Sequence, residues 1–196
     1  MFRSPARRPV GSAFRQAVIP LIVMATVTAA LAVGLASPVG AVTCHTTWGS
    51  VAKTNSRATQ APITGARAGQ QPCFDRFVVD LRSTPAPGWN VRYVTRVVGD
   101  ATGHIIPLRG GAFIQVSVRA PAYDENGRAT YTPARRSEAV SVAGFRTFRQ
   151  IAYDSSFEGT TTFGLGVRAR LPFRVFVLLG PGSGSRLVID VAHSWA

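Results

Sequence analysis

Alternation of apolar and polar residues is the main pattern of the chain beyond its first 41 residues. It covers residues 91–98, 114–119, 162–171 and 173–179 and, less regularly, 146–153. A period of two residues is typical of β-strands that bury one face. Because no long amphipathic helix pattern occurs in this part of the chain, the sequence predicts an all-β protein.

Turn signals separate the predicted strands. Clusters rich in Gly, Pro, Asp or Asn occur at residues 85–88, 99–103, 124–127 and 180–184. Such clusters mark turns because these residues adopt backbone conformations that close a chain reversal. Many short strands at this spacing predict an antiparallel β-sandwich.

A six-residue pattern occurs twice, as Arg-Phe-Val-Val-Asp-Leu at residues 76–81 and as Arg-Leu-Val-Ile-Asp-Val at residues 186–191. Each copy is joined through a Gly/Pro-containing turn to an Arg-bearing strand, at residues 91–94 and 173–176. This arrangement predicts two related hairpins, one for each half of the sandwich. Arg and Asp four residues apart share a strand face. They indicate either cross-strand ion pairs or loop anchoring, or, with both aspartates at glycosidase distance, an acid–base pair.

The first 41 residues have the layout of an export signal. A basic start without acids precedes an apolar run at residues 17–36, and Val39 and Ala41 fit the small-residue positions of a cleavage site. The apolar run also reaches membrane-spanning length. Residues 1–41 are therefore predicted to be a signal peptide or an uncleaved N-terminal anchor. The protein is predicted to be exported, with membrane contact only if this segment is retained.

The charge balance is strongly basic. The chain has 22 Lys and Arg against 9 Asp and Glu. Four bases and no acid precede residue 42, which leaves 18 bases and 9 acids, a formal charge of +9, in the rest. This excess reflects genomic codon composition or favours an anionic partner outside the cell, such as a teichoic-type polymer, peptidoglycan carboxylates or lipid headgroups. Nucleic acid is not expected, because no nucleic-acid motif is present.

The two cysteines, Cys44 and Cys73, predict a disulfide, because an exported protein with an even cysteine count usually pairs them. A reactive thiol is the alternative. Residues 51–71 between them are rich in Ala, Thr, Gly and Gln and show no periodicity. We therefore predict a disulfide-tethered irregular segment at residues 42–72 and a β-sandwich domain at residues 73–196.

One predicted strand face stands out as a candidate ligand surface. It consists of Thr162, Gly164, Gly166, Arg168 and Arg170. Glycines in a strand allow a ligand or another backbone to approach closely, and arginines bind carboxylates through paired hydrogen bonds. The alternative is a glycine bend or bulge beside solvated arginines.

Residues for metal binding or catalysis do not form a recognisable set. His45, His104 and His193 lack metal-ligand spacing, and no nucleophile elbow, zinc-protease motif or phosphate loop occurs. His193 is expected to be a hydrogen-bonded edge residue, and Glu158 is a carboxylate without an identifiable partner base. The sequence therefore predicts a non-enzymatic protein without a cofactor or metal.

Several segments resemble the AMIN-like domain of exported actinobacterial proteins. They are residues 47–50, 73–81, 156–168 and 190–193, together with the hairpin at residues 173–191. The resemblance implies a β-sandwich targeting module like the AMIN domains that bind peptidoglycan and localise cell-wall amidases and secretins. We therefore expect an exported envelope-associated domain that binds peptidoglycan or another anionic wall polymer. The alternatives are a protein-interaction module that docks on an envelope enzyme or transporter and, less favoured, a hydrolase.

Overall fold

The computed structural model describes residues 43–195, and the predicted signal peptide or anchor lies outside this range. The described chain forms eleven β-strands and one short 3₁₀ turn. The elements are β1 (Lys53–Asn55), β2 (Ile63–Gln70), β3 (Phe74–Leu81), β4 (Gly88–Val94), β5 (Val97–Val98), β6 (Ile105–Ile106), β7 (Ala112–Arg119), the 3₁₀ turn (Arg136–Glu138), β8 (Phe148–Phe157), β9 (Thr160–Val167), β10 (Phe173–Leu179) and β11 (Ser185–Ala192). The prediction of an all-β fold is confirmed. In the part of the chain that is described, no helix is long and apolar enough to cross a membrane.

The strands form two antiparallel sheets and a small ribbon. The five-stranded sheet has the order β1-β4-β7-β9-β8, and the four-stranded sheet has the order β10-β11-β3-β2. Within residues 43–195, β5 and β6 pair only with each other. The predicted antiparallel β-sandwich is therefore confirmed.

Aromatic side chains from both sheets meet in the core between them. Phe77 of β3 packs edge-on against Phe163 of β9 at 5.3 Å between ring centroids, and Tyr93 of β4 packs against Phe173 of β10 at 5.7 Å. Phe77, Phe163 and Phe173 are fully buried. Burial of each such side chain stabilises the fold by about 1.5–3 kcal/mol. The alternating apolar positions therefore fix which face of each strand points inward.

The two copies of the six-residue pattern are adjacent strands of one sheet. β3 pairs with β11 along its whole length, in a register that places Arg76 opposite Asp190 and Asp80 opposite Arg186. The predicted second hairpin is present as β10–β11. The predicted first hairpin is wrong, because the chain crosses between the sheets after residue 81, and β4 pairs with β1 and β7 instead.

The segment predicted to be irregular contains two strands. β1 joins the edge of the five-stranded sheet, and β2 pairs with β3 in the four-stranded sheet. The periodicity of β2 was hidden by a register shift between Ile63 and Gly65 and by its small residues. The Cys44–Cys73 disulfide is confirmed, with 5.4 Å between the two Cα atoms.

Candidate functional site

The predicted ligand face of β9 is covered by the protein itself. The Thr162 hydroxyl donates a hydrogen bond to Asp100 at 2.7 Å. A Cβ atom added to Gly166 would lie 1.9 Å from the carbonyl oxygen of Arg109, and one added to Gly164 would lie 2.9 Å from a methyl group of Leu108. Gly166 therefore admits the backbone of Arg109, and Gly164 admits the side chain of Leu108. These three residues do not present an open ligand surface.

The two arginines of the predicted face lie beyond the end of β9. Arg168 donates a hydrogen bond to the carbonyl oxygen of His193. Arg170 donates to the hydroxyl and carbonyl oxygens of Ser50 at 3.1 and 3.3 Å, and its guanidinium lies over the Tyr93 ring. Both side chains thus hold the ends of the described chain against the sandwich.

The outer face of the four-stranded sheet carries several arginines, and we call it the arginine face. It is defined by Arg67 of β2, Arg76 and Asp80 of β3, Arg174 of β10, and Arg186 and Asp190 of β11. These residues alternate with core residues along their strands, so they project away from the core. With four arginines and two aspartates, the face has two excess positive charges.

Asp190 is the centre of the arginine face. Its side chain has no solvent exposure and accepts three hydrogen bonds, two from Arg76 at 2.7 and 2.9 Å and one from Arg174 at 2.9 Å. The three residues form a row across β3, β11 and β10, because they stand opposite each other in the strand register. The side-chain hydrogen bonds to Asp190 raise the pKa of Arg76 above its ordinary value. Two positive charges are thus held by one buried negative charge.

Aromatic rings surround the two arginines of this row. The Arg174 guanidinium lies 4.4 Å from the Trp48 ring centroid and 5.0 Å from that of Phe176. The Arg76 guanidinium lies 5.2 Å from the Phe74 centroid and 5.5 Å from that of Phe176. Cation–π contacts of this kind are each worth about 0.5–1 kcal/mol when exposed. The rings therefore restrict the orientations of both guanidinium groups.

The second aspartate of the face is paired differently. Asp80 accepts two hydrogen bonds from Arg67, at 2.8 and 2.9 Å. Asp80 and Asp190 are separated by about 14 Å, because they lie on neighbouring strands and four positions apart in register. Glycosidase carboxylates lie about 5–9.5 Å apart. The expected cross-strand ion pair between the two copies of the pattern is present at Arg76 and Asp190, whereas Asp80 pairs with Arg67 of β2 and not with Arg186 in the described residues. At this separation the two aspartates do not form an acid–base pair.

His193 is a hydrogen-bonded edge residue, as predicted. Its Nε2 lies 3.0 Å from Oδ1 of Asp75, a fully buried aspartate at the start of β3. Oδ2 of Asp75 accepts hydrogen bonds from the backbone N–H groups of Thr147 and Phe148 at 2.6 and 2.9 Å. Asp75 thus joins β3 to the start of β8. Within residues 43–195, no group of three or more His, Cys, Asp or Glu is placed to hold a metal ion.

The arginine face was not predicted as a site, although its residues are prominent in the sequence. The repeat pointed to Arg76 and Asp190. Trp48 and Arg174 were not connected with them, because strand order cannot be read from spacing alone. One available signal was that residues 174, 176 and 178 alternate with core positions, which puts Arg174 and Phe176 on one face.

Comparison with known proteins identifies the family. The AMIN-like domain family matches residues 61–193, which is more than half of the chain. No curated protein and no solved structure matches the chain. The matched range includes β2 to β11 and therefore nearly all of both sheets. The chain belongs to the AMIN-like domain family.

Proposed function

We propose that the protein is an exported, non-enzymatic domain of the cell envelope that binds peptidoglycan or another anionic wall polymer through the arginine face. The observation that carries this proposal is the Arg76–Asp190–Arg174 row. Its arginines are fixed in position before any ligand arrives, which lowers the entropy lost on binding. Family membership supports the same reading, because the AMIN-like family is associated with peptidoglycan targeting.

The row keeps hydrogen-bond donors for a ligand. Arg174 uses only its Nε on Asp190, so within residues 43–195 its two terminal nitrogens have no hydrogen-bond partner. Nη1 of Arg76 is likewise without a partner there. Guanidinium groups bind carboxylates and phosphates by charge-assisted hydrogen bonds. These groups occur in peptidoglycan stem peptides and in teichoic-type polymers, respectively.

The binding surface continues along the sheet towards the β10–β11 turn. A groove of about 460 Å³ lies at that end, and its walls include Asp80, Arg82, Arg186 and the turn at residues 180–184. Arg82 and Arg186 give this groove a positive balance against Asp80. A polymer with repeated acidic groups would therefore meet positive charge both at the row and at the groove.

A retention assay on purified peptidoglycan tests the proposal. The unaltered protein is expected to be retained at a salt concentration of about 0.15 M, where exposed charges beyond about 8 Å are screened. Arg174→Gln should weaken retention about tenfold, because it removes the two free guanidinium nitrogens of Arg174 and leaves only Nη1 of Arg76. Arg128→Gln is the matched control, since it removes the same charge from an exposed turn residue. No retention of the unaltered protein, or equal losses in the two variants, would contradict binding at the arginine face.

The non-enzymatic part of the proposal has its own test. Asp80 and Asp190 are held by arginines and are too far apart for glycosidase chemistry. Incubation of the protein with peptidoglycan should therefore release no soluble fragments. Fragment release that disappears in Asp80→Asn or Asp190→Asn would instead favour the hydrolase alternative.

Export is the remaining part of the proposal. The Cys44–Cys73 disulfide is consistent with an oxidising compartment. We expect the protein to be found outside the cytoplasmic membrane with this disulfide formed and with Val42 at its N-terminus. Recovery from the cytoplasm with both thiols free would contradict export, and an outward-facing protein that keeps residues 1–41 would favour the anchor.

A further inference from the structure

β10 is an edge strand whose outer side is open over most of its length. Among the described residues, it is the last strand of the four-stranded sheet and pairs only with β11. The segment before β1 reaches only its first residue, where the Phe173 N–H donates to the carbonyl oxygen of Gly49 at 2.9 Å. From Val175 onwards, no backbone group in residues 43–195 pairs with the outer side of β10.

The direction of the backbone groups follows from two hydrogen bonds. The carbonyl oxygen of Pro172 accepts from Ala192 of β11, whereas the N–H of Phe173 points away from β11 to Gly49. Backbone groups alternate sides along an antiparallel strand. The N–H and C=O groups of Val175 and Val177 therefore point outward from the sheet edge. They form a template for one further strand.

The other sheet edges are protected against such pairing. β1 is only three residues long. β2 has a register shift and bears Arg67, and β8 has two register shifts. Short edges, charges and bulges are the devices that prevent edge-to-edge association. Residues 175–179 read Val-Phe-Val-Leu-Leu, with no charge, proline, glycine or register shift.

The side chains beside this edge form a short apolar surface that ends at a positive charge. Phe176 and Leu178 project from the outer face and are partly exposed, and Leu179 is 69% exposed. Arg174 precedes them on the same face, with its terminal nitrogens free of hydrogen bonds in residues 43–195. The edge therefore combines a backbone template, apolar contacts and one cationic position.

We propose that β10 binds an extended segment of another protein, which adds to the four-stranded sheet as a fifth strand. The segment has a carboxylate beside Arg174 and apolar side chains beside Phe176 and Leu178. Main-chain hydrogen bonds to Val175 and Val177 supply affinity, and the alternate side chains supply specificity. This interaction goes beyond wall binding and does not rest on it, although both use Arg174.

Charge complementarity favours a different protein over a second copy of this chain. In an antiparallel pairing of two β10 strands centred on Phe176, Arg174 would stand opposite Leu178 of the other copy and would find no carboxylate. Both copies would also bring an arginine face with two excess positive charges to the junction. A segment of another protein can instead place a carboxylate beside Arg174 and apolar side chains beside Phe176 and Leu178.

A peptide-binding experiment with the full 196-residue chain tests the proposal. The probe is the fluorescent peptide Thr-Glu-Thr-Val-Thr-Leu-Thr, used together with its reversed sequence because the strand direction is open. Val177→Pro should lower affinity about tenfold or more, since it removes an outward N–H. The fold should tolerate it, because proline is accepted where an edge N–H does not pair within the sheet. Val177→Thr is the matched control and should bind within about twofold of the unaltered protein.

Two further measurements on the unaltered protein distinguish loss of strand pairing from a folding defect caused by Val177→Pro. Peptides N-methylated on the residues that face β10 should lose binding to the unaltered protein. Hydrogen exchange at Val175 and Val177 should slow when the unmethylated peptide is added. Binding that survives both Val177→Pro and N-methylation, or protection confined to β2, would overturn strand addition at β10. A concentration-dependent dimer that Val177→Pro abolishes would also overturn it, by assigning the edge to a second copy. Val177→Pro should leave peptidoglycan retention unchanged, which separates this proposal from wall binding.

Discussion

Replacement of Asp190 by Asn tests whether the arginine face is organised by one buried carboxylate. Asp190 is fully buried and accepts three charge-assisted hydrogen bonds. An Asn side chain retains a single acceptor oxygen, and its NH₂ group points a donor at a guanidinium donor. Two partly buried arginines also lose their counter-charge. Removal of one partner from a buried ion pair costs about 3–5 kcal/mol. We therefore expect Asp190→Asn to lower the free energy of unfolding by about 3–4 kcal/mol.

Replacement of either arginine partner of Asp190 should destabilise the fold less than Asp190→Asn does. Arg174 is 41% exposed and makes one hydrogen bond to Asp190, so Arg174→Gln should cost only about 1 kcal/mol after allowance for solvent screening. Arg76 is 27% exposed and makes two such bonds, so Arg76→Gln should cost about 2–3 kcal/mol. The expected order of destabilisation is thus Asp190→Asn, then Arg76→Gln, then Arg174→Gln.

Urea unfolding with the disulfide intact, followed by tryptophan fluorescence, measures these differences. Arg128→Gln serves as the control and should change stability by less than about 0.5 kcal/mol. The cost of Asp190→Asn should persist at about 1 M NaCl, because a buried pair is weakly screened. A cost of Asp190→Asn no greater than that of Arg174→Gln, or a cost that disappears at high salt, would show that the buried carboxylate does not organise the arginine face.

Three further predictions concern other parts of the sandwich. Gly166→Ala should lower the melting temperature much more than Gly164→Ala, because its Cβ would lie 1.9 Å from a backbone oxygen rather than 2.9 Å from a flexible side chain; equal shifts would contradict this packing. Burial raises the pKa of Tyr131 to about 12, so its contribution to stability is present below the ordinary tyrosine pKa of about 10 and is lost as pH rises to about 12. Tyr131→Phe removes a buried hydroxyl that has no partner in the described chain, so the unfolding free energy of the variant should equal or slightly exceed that of the unaltered protein at neutral pH. Between about pH 10 and pH 12 the unaltered protein should lose stability while the variant does not, so the difference between them should grow. Loss of the Cys44–Cys73 disulfide in a double Ser variant should cost about 3–4 kcal/mol in urea unfolding, since it closes a loop with a sequence separation of 29; a cost below about 1 kcal/mol would contradict the chain-entropy estimate.

Local patterning was sufficient to predict β4, β7, β9 and β10, because apolar and polar residues alternate along them with a period of two, and it indicated β8 less clearly. It was insufficient where small residues and a bulge interrupt the period, as in β2, and where a turn leads to the opposite sheet, as after β3. The β9 glycines show the same limit for the site. The close approach of another group to these glycines was predicted, but the groups are the Arg109 backbone at Gly166 and the Leu108 side chain at Gly164, which are distant in sequence.

The repeated pattern carries information about register that neither copy has alone. In an antiparallel pair, two Arg-x-x-x-Asp strands are self-complementary, since the Arg of each stands opposite the Asp of the other. A shift of two residues would place Arg76 opposite Val188 and would lose the Arg76–Asp190 ion pair, so the repeat favours one alignment.

The two outer strands of the sheet, β10 and β2, give the two aspartates of the repeat different arginine partners. Arg174 of β10 pairs with Asp190 at one end, and Arg67 of β2 pairs with Asp80 at the other. Arg186 therefore has no carboxylate partner within residues 43–195. Positive charge that is not fully neutralised therefore collects on the β10–β11 side of the face, at Arg174 and Arg186. That side includes the proposed wall-binding row and borders the open edge of β10, so ligands of either kind are expected to approach the sheet from there.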